Sequence, residues 1–270
     1  MPPPSTEMGG IVAWRESQAQ TQSDTVAVEE PLEIRLAGCS VAVTMRTPGN
    51  DLDLAAGFLF TEGIIHDLED IGALTHCPTD DPDAQFNVVN VNPTDPLLVQ
   101  PERWRRNFFA ASSCGICGKR SIEAIYQEAA PLQSTARVSH EVLYRLNASL
   151  RDSQALFGET GGLHAAGLFD LEGNRLTVRE DIGRHNAVDK VIGDALRSGA
   201  LPLMNRILMV SGRTSFEIVQ KAVTAGIPIV AAVSAPSSLA VNLARSVNMT
   251  LIGFLRDGRF NVYAGEERIV

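Results

Sequence analysis

The sequence predicts an α/β protein in two parts: a small N-terminal α+β domain, then a three-layer α/β/α domain on a mixed sheet. Three observations predict this. From Ser139 onward, amphipathic helical stretches alternate with short apolar runs such as Ile227–Val233, the pattern of strands covered by helices. Ahead of that point, segments of period two dominate. Between the halves lies a glycine-flanked cysteine pair, Ser112-Ser113-Cys114-Gly115-Ile116-Cys117-Gly118-Lys119, with no clear strand leading into it.

Residues 1–25 are rich in Pro, Gln, Ser and Thr and hold little apolar periodicity, so they read as a flexible arm. The small α+β domain spans 26–110. Leu32–Leu36 and Ser40–Met45 alternate apolar and polar residues around Ala37-Gly38, a hairpin signature. A helix follows from an acidic cap at Asp51 and stops at Gly63. Phe86–Val91 is a further strand, preceded by an acidic loop. Residues 111–137 form an interdomain segment carrying the cysteine loop and a short helix from Ser121 to Ala129.

In the second domain, 138–270, the expected order is a helix Glu141–Phe157, a strand Gly162–Phe169, a turn at Glu172-Gly173-Asn174 and a strand Arg175–Glu180. A helix Asn186–Arg197, a strand Arg206–Val210, a helix Phe216–Ala225, a strand Ile227–Val233 and a helix Ser238–Asn248 come next. The chain closes with strands Thr250–Leu255 and Phe260–Tyr263. That order is the layout of the cytidine-deaminase-like fold.

Composition narrows the function classes. At 270 residues with 44% hydrophobic and 20% charged residues, the chain can bury a sizeable core. Its longest apolar runs fall far short of the roughly 20 residues a membrane helix needs, and the N-terminus lacks a signal-peptide pattern, so a cytoplasmic protein without membrane contact is expected. A formal charge of −9 argues against a broad nucleic-acid surface. Four cysteines in such a chain do not read as a disulfide scaffold, and Cys39 and Cys77 read as bystanders.

Three chemistries suit the Cys114/Cys117 pair. It could form half of a tetrahedral zinc site, but the helix starts that hold zinc in deaminases read here Gly183-Arg184-His185 and Ser211-Gly212-Arg213-Thr214-Ser215, without cysteine, so no zinc is expected. A thioredoxin-type dithiol normally follows a strand. A persulfide carrier needs a thiolate, favoured by Lys119 and Arg120 nearby, and a mobile loop, favoured by Gly115 and Gly118. A second candidate site lies at the strand-to-helix junctions Ser211–Ser215 and Ser234–Ser238. Such junctions present free backbone N–H groups to an anion, although ordinary N-capping explains either one alone. With Arg184, Arg213, Arg256 and Arg259 nearby in sequence or topology, they suggest a phosphate pocket that includes Gly212 and Arg213. His164 and His185 sit at a strand start and a helix start, where each is either a proton carrier or a structural hydrogen-bonding group. Asp189 and Lys190 read as an internal or subunit contact.

Five separated segments together resemble the FdhD family, the formate dehydrogenase accessory sulfurtransferases. They are Ser113–Gly118, Thr160-Gly161-Gly162-Leu163-His164-Ala165-Ala166, Glu180–Lys190, Ser211–Ala222 and Gly253–Tyr263. The resemblance implies a sulfur carrier that takes sulfur from a cysteine desulfurase. It would deliver that sulfur to a molybdenum (or tungsten) bis(molybdopterin guanine dinucleotide) cofactor before the cofactor enters formate dehydrogenase. By the same resemblance Cys114 carries the persulfide and Cys117 assists. The resemblance also maps the cofactor-binding segment onto Phe254-Leu255-Arg256-Asp257-Gly258-Arg259 and implies a homodimer. A binding chaperone for the same cofactor, with cysteines that sense redox state, is the alternative.

Overall fold

The computed structural model describes residues 3–77, 86–99 and 130–270. Cys114, Cys117 and the helix expected at Ser121–Ala129 lie outside the described residues.

The expected flexible arm is instead a hairpin, β1 (Thr6–Arg15) and β2 (Gln18–Ala27), paired in register over ten residues. Its signal is weak in sequence for two reasons. Strand β2 is almost wholly polar, and the turn residues Glu16 and Ser17 both adopt positive φ without the Asn-Gly that normally marks such a turn. Strands β3 (Glu30–Leu36) and β4 (Cys39–Arg46) form the expected hairpin. Strand β5 (Ile71–His76), which the pattern reading does not anticipate, pairs with β6 (Val88–Pro93), and the sheet order is β4-β3-β6-β5. Helix α1 (Asp51–Thr61) lies where expected, but Asp51 is not its cap. The carboxylate of Asp51 accepts from the fully buried guanidinium of Arg46, whose charge would otherwise be stranded.

The predicted helix from Glu141 to Phe157 is two helices, α2 (His140–Arg151) and α3 (Ala155–Thr160). Ser139 caps the first. The Glu180 carboxylate accepts from the N–H groups of Leu156 and Phe157, supplying the start of α3 with the partners that the break from α2 takes away. The remaining elements match their expected places: β7 (His164–Phe169), β8 (Arg175–Asp181), α4 (Arg184–Arg197), β9 (Ile207–Val210), α5 (Phe216–Thr224), β10 (Ile229–Ala232), α6 (Ser238–Ser246), β11 (Thr250–Arg256) and β12 (Arg259–Ala264). Their sheet runs β12-β11-β10-β9-β7-β8, with β9, β10 and β11 parallel and the outer pairings antiparallel. It is the mixed sheet of an α/β/α sandwich.

Period-two alternation assigns the sheet's faces. Ile207, Met209, Ile229, Ala231 and Ile252 meet Val142, Leu143, Leu146 and Leu150 of α2. Leu208, Val210, Val230, Ala232 and Leu251 face the other way, into a core shared with α4, α5 and α6. That core also takes Leu32, Ile34 and Leu36 from β3 and Leu54, Ala55 and Leu59 from α1, so both parts of the chain bury their apolar faces together.

Helices α1 and α4 cross at two glycines. A Cβ on Gly57 would stand 1.9 Å from the Asp189 carbonyl oxygen, and one on Gly193 would stand 1.8 Å from that of Asp53. Backbone therefore touches backbone. Buried polar links flank the crossing. Lys190 Nζ lies 2.7 Å from the Asp181 carboxylate and donates to the Thr47 carbonyl, while Lys221 Nζ lies 3.0 Å from Asp189. Burial alone would lower the Lys221 pKa, but the Asp189 and Glu62 carboxylates outweigh it and hold the pKa above the usual lysine value. Asp189 and Lys190 are thus internal contacts. Replacing Gly57 with alanine should destabilise the protein by about 2 kcal/mol or more, since neither backbone can yield to an overpacked methyl; urea unfolding that matched wild type would contradict the crossing.

Candidate functional site

The carboxyl edge of the parallel strands is where open α/β sheets form ligand crevices. Here β9 leads into the 211–215 loop, β10 into the 234–238 loop, and β11 into the tight turn to β12. The first two loops are zipped together: Thr214 N–H donates to the Ala235 carbonyl and Ser237 N–H to the Thr214 carbonyl. Ser237 caps α6 through Ala240 N–H, the ordinary role for such a residue. Ser215 makes no cap bond; its hydroxyl lies 3.1 Å from His185 Nε2. The α5 start is therefore the one of the two that keeps side-chain capping out of its first turn.

A cavity of about 550 Å³ opens at this edge, lined by Gly162, Leu163, His164, Ser211, Val233 and Arg256 and walled by Asn147, Arg151, Gln154 and Phe157. His164 is half-buried within it. Burial first, then the charges of Arg184 and Arg213, push its pKa below the usual histidine value, while Asp181 opposes them. Gly212 packs against the same ring: a Cβ there would come within 3.1 Å of His164 Nδ1. A side chain at this position would require the imidazole to give way. Arg184 packs its stem beside Gly212, and its buried Nε has no hydrogen-bond partner among the described residues, nor has the hydroxyl of buried Thr214. Two arginines and a neutral imidazole around orphaned donors make a locus for an anion.

The expected segment 254–259 divides. Arg256 lines the cavity. Phe254, Asp257, Gly258 and Arg259 are exposed along the β11–β12 turn, with Phe254 at positive φ and its N–H on the Ser234 carbonyl. Leu255 is fully buried in the core beneath α2, so its side chain holds the sheet. Arg256 stands directly opposite Arg259 across the turn, and like charges so placed repel unless an anion comes between them. His185 is buried away from the cavity beside Ser215, with Glu217 at 3.9 Å.

The walls of the cavity were not foreseen from sequence. Asn147 and Arg151 recur at i and i+4, a polar row beside the apolar face of α2, and that periodicity is the signal that could have found them; Gln154, at the break before α3, carries none. Cys39 and Cys77 are free thiols, both partly buried. Among the described residues, no group of three His, Cys, Asp or Glu side chains could hold a metal, and no helix is long and apolar enough to cross a membrane.

A protein-family profile described as the FdhD/NarQ family matches residues 27–270. The chain belongs to the FdhD/NarQ family. Curated members similar to it include the sulfur carrier protein FdhD of Streptomyces avermitilis, 50% identical over 270 residues that cover 98% of this chain and 95% of that one. That of Mycobacterium tuberculosis is 48% identical over 259 residues, 93% and 94% of the two chains. Among solved structures, the crystal structure of a formate dehydrogenase accessory protein from Desulfotalea psychrophila superposes with a TM-score of 0.79 at 28% identity, covering 99% of this chain and all of that one. Within this FdhD/NarQ chain the hairpin β1–β2 precedes most of the matched span, whereas every cavity residue falls inside it.

The low pKa of His164 has a signed consequence. In the free protein the ring is neutral near pH 7; an anion beside it would favour the imidazolium and raise its pKa. Anion binding would then take up a proton, and affinity should rise as pH falls through the bound-state pKa and level off below the free-state value. Sulfate, whose charge is constant there, should bind more tightly at about pH 5 than at about pH 8, with the difference lost in His164→Gln. A pH-independent sulfate affinity in wild type would remove His164 from the anion locus.

Proposed function

We propose that this protein is a sulfur carrier for formate dehydrogenase, acting in the cytoplasm as a homodimer. It takes sulfane sulfur from a cysteine desulfurase as a persulfide on Cys114. It delivers that sulfur to the molybdenum or tungsten bis(molybdopterin guanine dinucleotide) cofactor before the cofactor is inserted. Family membership and the roles named for its relatives, sulfur carrier and formate dehydrogenase accessory protein, support the carrier role. The observation that carries the cofactor part is the arginine-rimmed cavity at the sheet's carboxyl edge. A guanine dinucleotide brings pyrophosphate, and the orphaned Arg184 Nε and Thr214 hydroxyl, the ring of His164 and the facing pair Arg256 and Arg259 are the donors and charges such a group requires.

The chemistry balances on two thiols. The Cys114 thiolate attacks the outer sulfur of a donor persulfide, forming Cys114–S–SH and releasing the donor thiol. For delivery, the Cys117 thiolate attacks Sγ of Cys114; the new disulfide takes the place of the persulfide bond, and the outer sulfur leaves reduced as hydrosulfide. A cellular dithiol then reduces the disulfide and resets the carrier. The chain's own contribution beyond the cysteines is to hold the phosphates of the acceptor at a fixed place.

Incubation with a cysteine desulfurase and cysteine should add about 32 Da per sulfur to the Cys114 peptide. Cys114→Ala should lose both that addition and activation of formate dehydrogenase while still binding GDP, a fragment of the cofactor. A wild-type peptide that never gains the mass would rule out the carrier role in favour of a cofactor chaperone. Conversely, Arg256→Ala should accept sulfur normally yet bind GDP about tenfold more weakly. Unchanged GDP affinity would take Arg256 out of the site.

A further inference from the structure

The hairpin β1–β2 belongs to neither of the larger sheets and gives no residue to either core, and two strands by themselves are only marginally stable in water. Met8, Gly10, Val12 and Trp14 share one face of β1, on which Met8, Val12 and Trp14 are 74%, 59% and 71% exposed. The edge of β1 is free as well. Arg15 and Gln18 flank a two-residue turn and so form a hydrogen-bonded pair, and at the far end Val28 N–H donates to the Ser5 carbonyl. Odd-numbered residues of β1 therefore bond to β2. The N–H and C=O groups of the even-numbered ones point away from it, with no partner among the described residues. Nothing blunts this edge, since β1 holds no Pro, Lys or bulge. The edge of β2 is not its equal: that strand lies beside α3, and its Thr25 N–H is taken by the Asp24 carboxylate.

We propose that β1 pairs antiparallel with β1 of a second copy about a twofold axis at Ile11, joining two hairpins into one four-stranded sheet. The free edge allows only registers in which even-numbered residues face even-numbered ones. Among these, the register centred on Ile11 sets Glu7 opposite the partner's Arg15 and, by symmetry, Arg15 opposite the partner's Glu7. The same register lays Trp14 over the partner's Met8, a sulfur–aromatic pair, and puts Val12 against the partner's Gly10. It also accounts for Gly9 and Gly10. Glycine weakens a strand interior and marks the close approach of another backbone, yet a Cβ at either position would meet nothing within 4 Å in this chain.

This interface deepens the homodimer of the proposed function and rests on that reading. Sedimentation equilibrium of the full-length protein at low ionic strength, where exposed charges are least screened, should show a dimer. Glu7→Arg or Arg15→Glu alone sets like charges opposite each other twice across the axis and should weaken the dimer about tenfold or more. Mixing the two variants restores both pairs, so together they should form a heterodimer about as tight as wild type. Gly10→Pro removes an outward N–H that the monomer does not use and should give a monomer with the wild-type circular dichroism spectrum. Should that variant fail to fold, the charge variants decide alone. A dimer indifferent to the charge changes overturns this interface and keeps the homodimer. A monomeric wild-type protein overturns both, whereas sulfur loading of Cys114 is read separately.

Discussion

The contact between α1 and α4 is the constraint on which the rest of this structure depends. Two helices whose backbones touch must lack side chains where they cross, and Gly57 and Gly193 meet that demand from opposite sides. So close an approach fixes the separation of the helices but leaves their rotation free. The buried pairs flanking it remove that freedom. Ion pairs taken out of water contribute little net stability, yet each tolerates only a narrow geometry. Lys190 must reach both Asp181 and the Thr47 carbonyl, and Lys221 must reach Asp189 and the Thr61 hydroxyl. Asn186 adds a third tie, bonding the Met45 carbonyl and the Asp181 carboxylate at once.

From that crossing the order propagates to the cavity through named atoms. Lys190 also donates to the Glu180 carbonyl, so the end of β8 is fixed by the same ammonium that clamps the helices. The Glu180 carboxylate in turn receives the first N–H groups of α3, which places Phe157 beneath Arg151 and Gln154 at the break between α2 and α3. On the far side, Gly253 fits between Pro236 and Tyr263, and Phe254 accepts a strained backbone to bond Ser234, so the turn bearing Arg256 is held against the 234–238 loop. The cavity is thus walled by elements that are each tied to the sheet. A site that must hold a polyanion in one pose gains from such preorganisation, because little side-chain entropy is then lost on binding.

Most of the fold could be read in the sequence because the second half obeys strong local rules. The strands Ile207–Val210 and Ile229–Ala232 are apolar on both faces, and Gly173 and Gly258 mark the β7–β8 and β11–β12 hairpins by positive φ. The misreadings have local causes. Thr, Gln and Ser in Gln18–Ala27 form a strand without an apolar face, a case that periodicity cannot detect. Residues 141–157 show one helical period across a break imposed by Glu180, which is distant in sequence. The arginines near the cavity were legible as charges in an acidic chain. Its polar wall was not, because Asn147, Arg151 and Gln154 read as an ordinary solvated face until the β11–β12 turn and the 211–215 loop are folded across from them.

The charge of the whole molecule and that of the cavity have opposite signs, and this difference acts as a filter. A net charge of −9 repels extended polyanions whose phosphates would lie along the surface, and that repulsion acts over about a Debye length, ~8 Å at physiological ionic strength. A compact phosphorylated ligand at the cavity would instead meet mainly the local field of Arg184, Arg213, Arg256 and Arg259. Within that field a permanently charged residue in place of His164 would grip phosphate at every pH. A histidine whose pKa is depressed by burial and by Arg184 and Arg213 would add its positive charge more readily once an anion had compensated theirs. A ring that took up a proton with an anion would give it back on release, so letting a ligand go would not leave a third uncompensated cation in the cavity.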